Sequence, residues 1–204
     1  MLNPVKTAVF VSGGGTNLQA LLDARAAGKL DSADIALVVA DKETAFALER
    51  AKKAGVETEV VVRKGKTQEE FEAGLTAALE RKGIGLIVLA GFMCILSGNF
   101  TKRYENRILN VHPSLIPSFC GKGYYGLKVH EAALSYGVKV TGATVHFVNE
   151  VPDGGKIILQ KAVNVEEGDT PETLQRRVME QAEWKILPAA VEKVAEQIAK
   201  EKDV

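Results

Sequence analysis

Residues 84–90, Ile-Gly-Leu-Ile-Val-Leu-Ala, contain no polar side chain. A strand with one face in water alternates apolar and polar residues, because successive side chains point to opposite faces. A short run that is apolar throughout suits a strand covered on both faces, as in a parallel sheet flanked by helices. Residues 5–12 (VKTAVFVS) and 34–40 (DIALVVA) have similar character, and residues 56–62 form a further strand candidate. Helical segments lie between them. LQALLDARAAG ends at Gly28, and a second segment at about 43–54 carries Phe46, Leu48 and Ala51 and ends at Gly55. Residues 67–82 form a third, with Thr67 as N-cap and Glu70 at the capping-box spacing. Strands alternating with helices predict an α/β, Rossmann-like arrangement for the first half.

The second half has a different pattern. A strand at 107–111 leads into a loop rich in proline, glycine and aromatics, PSLIPSFCGKGYYG. A helix at about 127–136 precedes two long strands, 139–149 and 156–165, joined by EVPDGG, a turn-forming connection. Thr170-Pro171 opens a long final helix, with a Thr N-cap and proline at the first helical position. Pro188 is expected to kink or interrupt it. The 204 residues fit one domain with two lobes, about 1–105 and about 106–204.

Charge narrows the function classes. Lys+Arg and Asp+Glu are both 26, which argues against a bulk electrostatic grip on nucleic acid or an anionic membrane. No apolar stretch approaches the roughly 20 residues that span a bilayer. Cys94 and Cys120 are not in a CxxC or Cys/His cluster, so no metal site or disulfide framework is expected. A reducing, cytoplasmic setting fits.

Two motifs carry chemistry. Gly13-Gly14-Gly15-Thr16-Asn17 lies between the first strand and first helix. Glycines let backbone N–H groups approach a ligand, and a helix N-terminus favours negative charge, so the loop is a candidate phosphate cradle. It lacks the GK[ST] of a Walker loop, and Leu18 stands where a dinucleotide fingerprint has its third glycine. A single phosphate monoester fits best; a ligand-free βα turn is the alternative. The second motif is ILNVHPSLIPSF (108–119). Asn110 and His112 are two apart and share a strand face. Asp153, in PDGG, is either a plain turn residue or a third member of this group. An amide, an imidazole and a carboxylate can hold an oxyanion on a tetrahedral carbon and move a proton from an attacking amine. No serine or cysteine is placed to act as nucleophile. His146, between Val145 and Phe147, and His130 read as structural histidines, and Trp184 as packing.

VFVSGGGTNLQALLDA (9–24), VLAGFMCILS (88–97), ILNVHPSLIPSF (108–119), VTGATVHFVNEVPDGGKIILQ (140–160) and AEWKILP (182–188) span nearly the whole chain. Together they resemble the phosphoribosylglycinamide formyltransferases, folate-dependent enzymes of purine biosynthesis. The resemblance implies a Rossmann-like three-layer formyltransferase fold, a mixed, mostly parallel sheet of about seven strands with helices on both faces. It implies Asn110, His112 and Asp153 as the catalytic set. It implies Gly14, Gly15, Thr16 and Asn17 as the cradle for the 5′-phosphate of glycinamide ribonucleotide, and Glu183 as the ribose-binding acid. Met93, Cys94, Ile95 and Leu96, with Val148, Asn149 and Glu150, would line the pocket of 10-formyltetrahydrofolate, the co-substrate. Cys94 stands where many members have an arginine that holds the folate tail. The loop 118–126 also departs from the pattern, and the residues before Glu183 read in a shifted register.

The implied reaction is direct attack of the ribonucleotide amine on the formyl carbon by a monomer or homodimer acting on two small molecules, with no nucleic acid or membrane partner. The alternatives are a formyltetrahydrofolate hydrolase, a formyltransferase for another amine, and a non-catalytic module that binds a phosphometabolite.

Overall fold

The computed structural model describes residues 3–202. Seven strands form one sheet: β1 (Val5–Val11), β2 (Ala33–Ala40), β3 (Glu57–Val60), β4 (Leu86–Leu89), β5 (Ile108–His112), β6 (Val140–Phe147) and β7 (Ile157–Asn164). Their order is β3-β2-β1-β4-β5-β6-β7. The strands from β3 to β5 are parallel, β6 runs antiparallel to β5, and β7 runs antiparallel to β6. The expected mixed, mostly parallel sheet is therefore present.

The helices are α1 (Thr16–Ala26), α2 (Ala47–Lys53), α3 (Gln68–Lys82), α4 (Gly98–Arg103), α5 (Leu127–Tyr136), α6 (Pro171–Val178) and α7 (Trp184–Lys202), with a π-helical turn at Met179–Glu183 before α7. The larger apolar cluster joins Val9, Val38, Val88 and Leu109 to Leu18, Leu21, Leu187 and Val191 on one face of the sheet. The smaller joins Phe10, Leu37, Leu89 and Ile108 to Phe71, Leu75 and Phe100 on the other. Both faces of β1 and β4 are thus covered, as the all-apolar β4 and the apolar run Ala8–Val11 of β1 require.

Local signals hold at several termini. Thr67 and Thr170 both form capping boxes, and Pro171 is the first residue of α6. Helix α5 spans the expected residues. The differences have physical causes. Helix α1 starts at Thr16 because Gly15, at φ 73, makes the turn, so Thr16 and Asn17 are helical rather than loop. Helix α2 starts only at Ala47, leaving Phe46 outside it and 55% exposed, beneath the Arg50 guanidinium. Helix α4, capped by the Ser97 hydroxyl, is an addition to the expected elements. The last helix is interrupted not at Pro188 but upstream. Pro188 lies inside α7, one turn after its first residue, while the break is the π turn at 179–183. A π turn inserts an extra residue and rotates the facing of every later side chain in the helix. No helix among the described residues is long and apolar enough to cross a membrane.

Candidate functional site

The chain steps outward from β1 to β2 and β3, then returns to the other side of β1 with β4. Such a reversal opens a crevice beyond the carboxyl ends of the strands, the usual ligand position in open α/β sheets. The glycine loop leaves β1 there, residues 90–97 leave β4, and the Pro113 loop leaves β5.

Helix α2 shapes the glycine loop. The Ala47 N–H donates to the Gly13 carbonyl at 3.0 Å. A Cβ on Gly15 would lie 2.6 Å from Ala47 Cβ, so only glycine permits this approach. Arg50 Nε donates to the Gly14 carbonyl at 2.8 Å, and its Nη1 donates to Gln19 Oε1 at 3.0 Å. The first turn of α1 leaves N–H groups without intrahelical partners, available to an anion. Asn17 Nδ2 donates to Glu183 Oε2 at 2.7 Å, joining the first turn of α1 to the π turn. Burial pushes the Glu183 carboxyl up from 4.5 to about 6, against the hydrogen bond from Asn17.

That shift has a measurable consequence. The folded state holds a proton on Glu183 more tightly than the unfolded chain does. The group's contribution to stability therefore falls as pH rises from about 4.5 to about 6, and then levels off. The displacement corresponds to about 2 kcal/mol. Glu183→Gln should remove this slope from the pH dependence of denaturant midpoints. An unchanged slope would show that Glu183 ionises freely in the folded state.

On β5, Leu109 and Val111 face the larger core cluster. Ile108 faces the smaller one, which stops there, so Asn110 and His112 project from the same face just beyond it. Asp153 returns from the β6–β7 loop to meet them, at φ 56. Its Oδ2 lies 3.5 Å from His112 Nδ1 and accepts from the Gly121 N–H at 2.8 Å. Its Oδ1 lies 3.5 Å from both Asn110 Nδ2 and His146 Nε2. Asn110 Nδ2 is also 3.3 Å from His146 Nε2. His146 therefore belongs to this group, although its mid-strand position reads as structural. The signal that places it is register: on antiparallel β6 it pairs with Asn110.

Electrostatics in the cluster are balanced. Burial lowers the His112 pKa, opposed by the Asp153 charge and the Phe119 carbonyl, with a net reduction. Burial raises the Asp153 carboxyl, but the His146 ring, the His112 charge and the Gly121 N–H outweigh it, leaving it below its ordinary value. Asp153 is held as an anion between two rings.

Beside the cluster, a cavity of about 140 Å³ is lined by Phe92, Cys94, Ile95, Leu96, Val148, Asn149 and Glu150, together with Asn110, His146 and Asp153. Most of the expected folate-pocket residues thus share one cavity with Asn110 and Asp153, whereas His112 does not line it. Met93 is the exception among the pocket residues: it is 56% exposed and does not line the cavity, whereas Phe92 does. The chain after β4 turns Phe92 inward, against Phe10 and Phe71. Cys94 donates to Asp41 Oδ2 at 3.3 Å, and burial together with that carboxylate pushes its thiol up to about 12.

The chain has well-defined relatives. Residues 5–191 match the formyl transferase family. The chain is 47% identical over 194 residues to the trifunctional purine biosynthetic protein adenosine-3 of Gallus gallus, covering 95% of this chain and 19% of that protein. It therefore spans about a fifth of the length of that relative. The phosphoribosylglycinamide formyltransferase of Haemophilus influenzae is 41% identical over 187 residues, 91% of this chain and 85% of that one. The crystal structure of phosphoribosylglycinamide formyltransferase from Brucella melitensis superimposes with a TM-score of 0.86 at 43% identity, covering 95% of this chain and 96% of the other.

Proposed function

The chain belongs to the formyl transferase family, and on that premise we propose that it transfers the formyl group of 10-formyltetrahydrofolate to the amine of glycinamide ribonucleotide. The observation that carries the reading is the convergence of Asn110, His112 and His146 on Asp153, each at 3.5 Å, beside a cavity with both apolar and polar walls. The names of the full-length relatives support the choice of amine, and the glycine loop supplies a matching phosphate site.

The amine attacks the formyl carbon directly. Its nitrogen forms the new C–N bond, and the formyl oxygen becomes an oxyanion. Asn110 Nδ2 donates to that oxyanion, and His112, once it has taken the proton of the attacking nitrogen, stabilises it by charge. The proton lost by the attacking nitrogen passes to the His112–Asp153 pair. The C–N bond to the folate then breaks, and the departing nitrogen takes up the proton. The ribonucleotide phosphate rests on the N–H groups of Gly14, Gly15, Thr16 and Asn17, and Glu183 accepts from a ribose hydroxyl. The pterin occupies the cavity lined by Ile95, Leu96 and Val148. Residues 1–204 act as one domain, the first lobe holding the ribonucleotide and the second the folate.

Arg50 supports this phosphate site without being part of the chemistry. Arg50→Met should raise the KM for the ribonucleotide about five- to tenfold and leave kcat within about twofold, since it loosens a binding loop only. A lowered kcat at unchanged KM would remove Arg50 from that role.

The test of the function is steady-state turnover of 10-formyltetrahydrofolate, followed by absorbance with and without glycinamide ribonucleotide. Ribonucleotide-dependent deformylation supports the reading. Deformylation without ribonucleotide indicates a hydrolase. Ribonucleotide binding without deformylation indicates a binding module, and activity only with another amine reassigns the acceptor.

A further inference from the structure

Both ring nitrogens of each site histidine have a defined neighbour, and this places their protons. A backbone carbonyl oxygen can only accept, so a ring nitrogen at hydrogen-bond distance from it carries the hydrogen. His112 Nε2 lies 2.9 Å from the Phe119 carbonyl oxygen. His146 Nδ1 lies 2.7 Å from the Phe147 carbonyl oxygen. In neutral rings the other two nitrogens, His112 Nδ1 and His146 Nε2, then bear lone pairs. Both face Asp153, each at 3.5 Å.

We propose that the Phe119 and Phe147 carbonyls hold the two histidines in opposite neutral tautomers, so that three acceptors converge at Asp153 and the cluster takes up one proton, at His112 Nδ1. Phe119 is thereby a positioning residue. Its carbonyl is aimed by a left-handed backbone, φ 48, that a non-glycine residue adopts only when its surroundings enforce it. The enforcing contacts are visible. The Phe119 ring packs edge-on against Tyr124 and Tyr136, with centroids 6.3 and 6.0 Å away. Two residues on, the Gly121 N–H grips Asp153 Oδ2. One three-residue segment thus orients both His112 and Asp153.

The titratable groups around His112 are few. Asp153 faces it from the β6–β7 loop, His146 from β6, His130 from α5, and Cys120 lies in the same loop as Phe119. His130 is fully buried without a hydrogen-bond partner and is pushed down to about 4, by burial first and then by the charge of His112. It does not compete for the proton. Burial and the Asp153 charge raise the Cys120 thiol, so it stays protonated as well. The use of the stored proton rests on the proposed formyl transfer: it enters at His112 Nδ1 from the attacking nitrogen and leaves to the departing folate nitrogen. The tautomers themselves are a property of the free protein.

The experiment is ¹⁵N NMR of histidine-labelled, ligand-free protein from about pH 4.5 to 8, which extends below the ordinary histidine range because burial lowers His112. His112→Gln and His146→Gln assign the signals. The expected result is His112 protonated at Nε2 throughout with Nδ1 titrating, and neutral His146 protonated at Nδ1. Neutral His112 protonated at Nδ1 would overturn the proposal. Two variants test Phe119. Valine resists a left-handed backbone, and asparagine tolerates it. Phe119→Val should mix the His112 tautomers and lower kcat about tenfold, whereas Phe119→Asn should keep the Nε2–H form and lose less than about threefold. An unmixed tautomer in Phe119→Val would remove the carbonyl from this role. The expected tautomers in a protein without ribonucleotide-dependent turnover would uphold the assignment and overturn the functional reading alone.

Discussion

Asn110→Ala is expected to reduce turnover about a hundred- to a thousandfold, with the KM of either substrate little changed. The reduction is that of losing one preorganised oxyanion donor. Asn110 is suited to the role because its surroundings fix the amide. Nδ2 lies 3.3 Å from His146 Nε2 and 3.5 Å from Asp153 Oδ1, which fixes the side of the amide that carries the nitrogen, and one of its two hydrogens leaves these long contacts for the oxyanion when that forms. β5 carries the side chain, and β6 backs it. The effect should appear in kcat, because the oxyanion exists only after the amine has attacked. A variant with near-normal kcat would show that Asn110 does not contact the oxyanion. A variant with normal kcat and raised folate KM would recast it as a pocket residue.

Gly155→Ala is expected to cost about 3 kcal/mol of stability and most of the activity of the protein that still folds. A Cβ on Gly155 would lie 1.8 Å from the Phe147 carbonyl oxygen, a contact backbone cannot absorb without moving. The same carbonyl accepts from His146 Nδ1, and Gly155 lies two residues after Asp153. One methyl group therefore displaces the partner of His146 and the loop that carries the site carboxylate. Denaturant unfolding reads the first effect, and kcat of the remaining folded fraction reads the second. A stable variant with full activity would show that the β6–β7 turn relaxes freely and that Asp153 is not held by it. Gly154 is less telling, because its added Cβ would meet the Val151 side chain, at 2.7 Å.

Much of this site is legible in the residues. Asn110 and His112 share a face because strand side chains alternate, with Leu109 and Val111 pointing to the other side. The glycine loop is legible because a β-strand, a triple glycine and a helix in succession leave unpaired N–H groups at the turn. Asp153 is ambiguous, since PDGG is an ordinary turn, and only the fold brings it back to His112. His146 is illegible as a site residue because a histidine between valine and phenylalanine looks the same whether it packs or reacts. Met93 enters as a pocket residue through the family resemblance and Phe92 does not; packing against Phe10 and Phe71 is what turns Phe92 inward. Arg50 has no local signal at all. It reaches Gly14 across 36 residues.

Local order along the chain set the layers and the punctuation of this protein. Apolar runs too short for helices and lacking alternation suit doubly covered strands, and threonines with the right residue three positions on cap helices. These are interactions between near neighbours, and near neighbours are written in order along the chain. Long-range packing selected which groups meet. The reversal of strand order at β1 and β4 made the crevice, the antiparallel turn of β6 set His146 opposite Asn110, and the π turn carried Glu183 to Asn17. Each of these depends on register and direction across distant segments. Such pairings are fixed by the packing of the whole sheet, so residue identity and spacing alone leave them open.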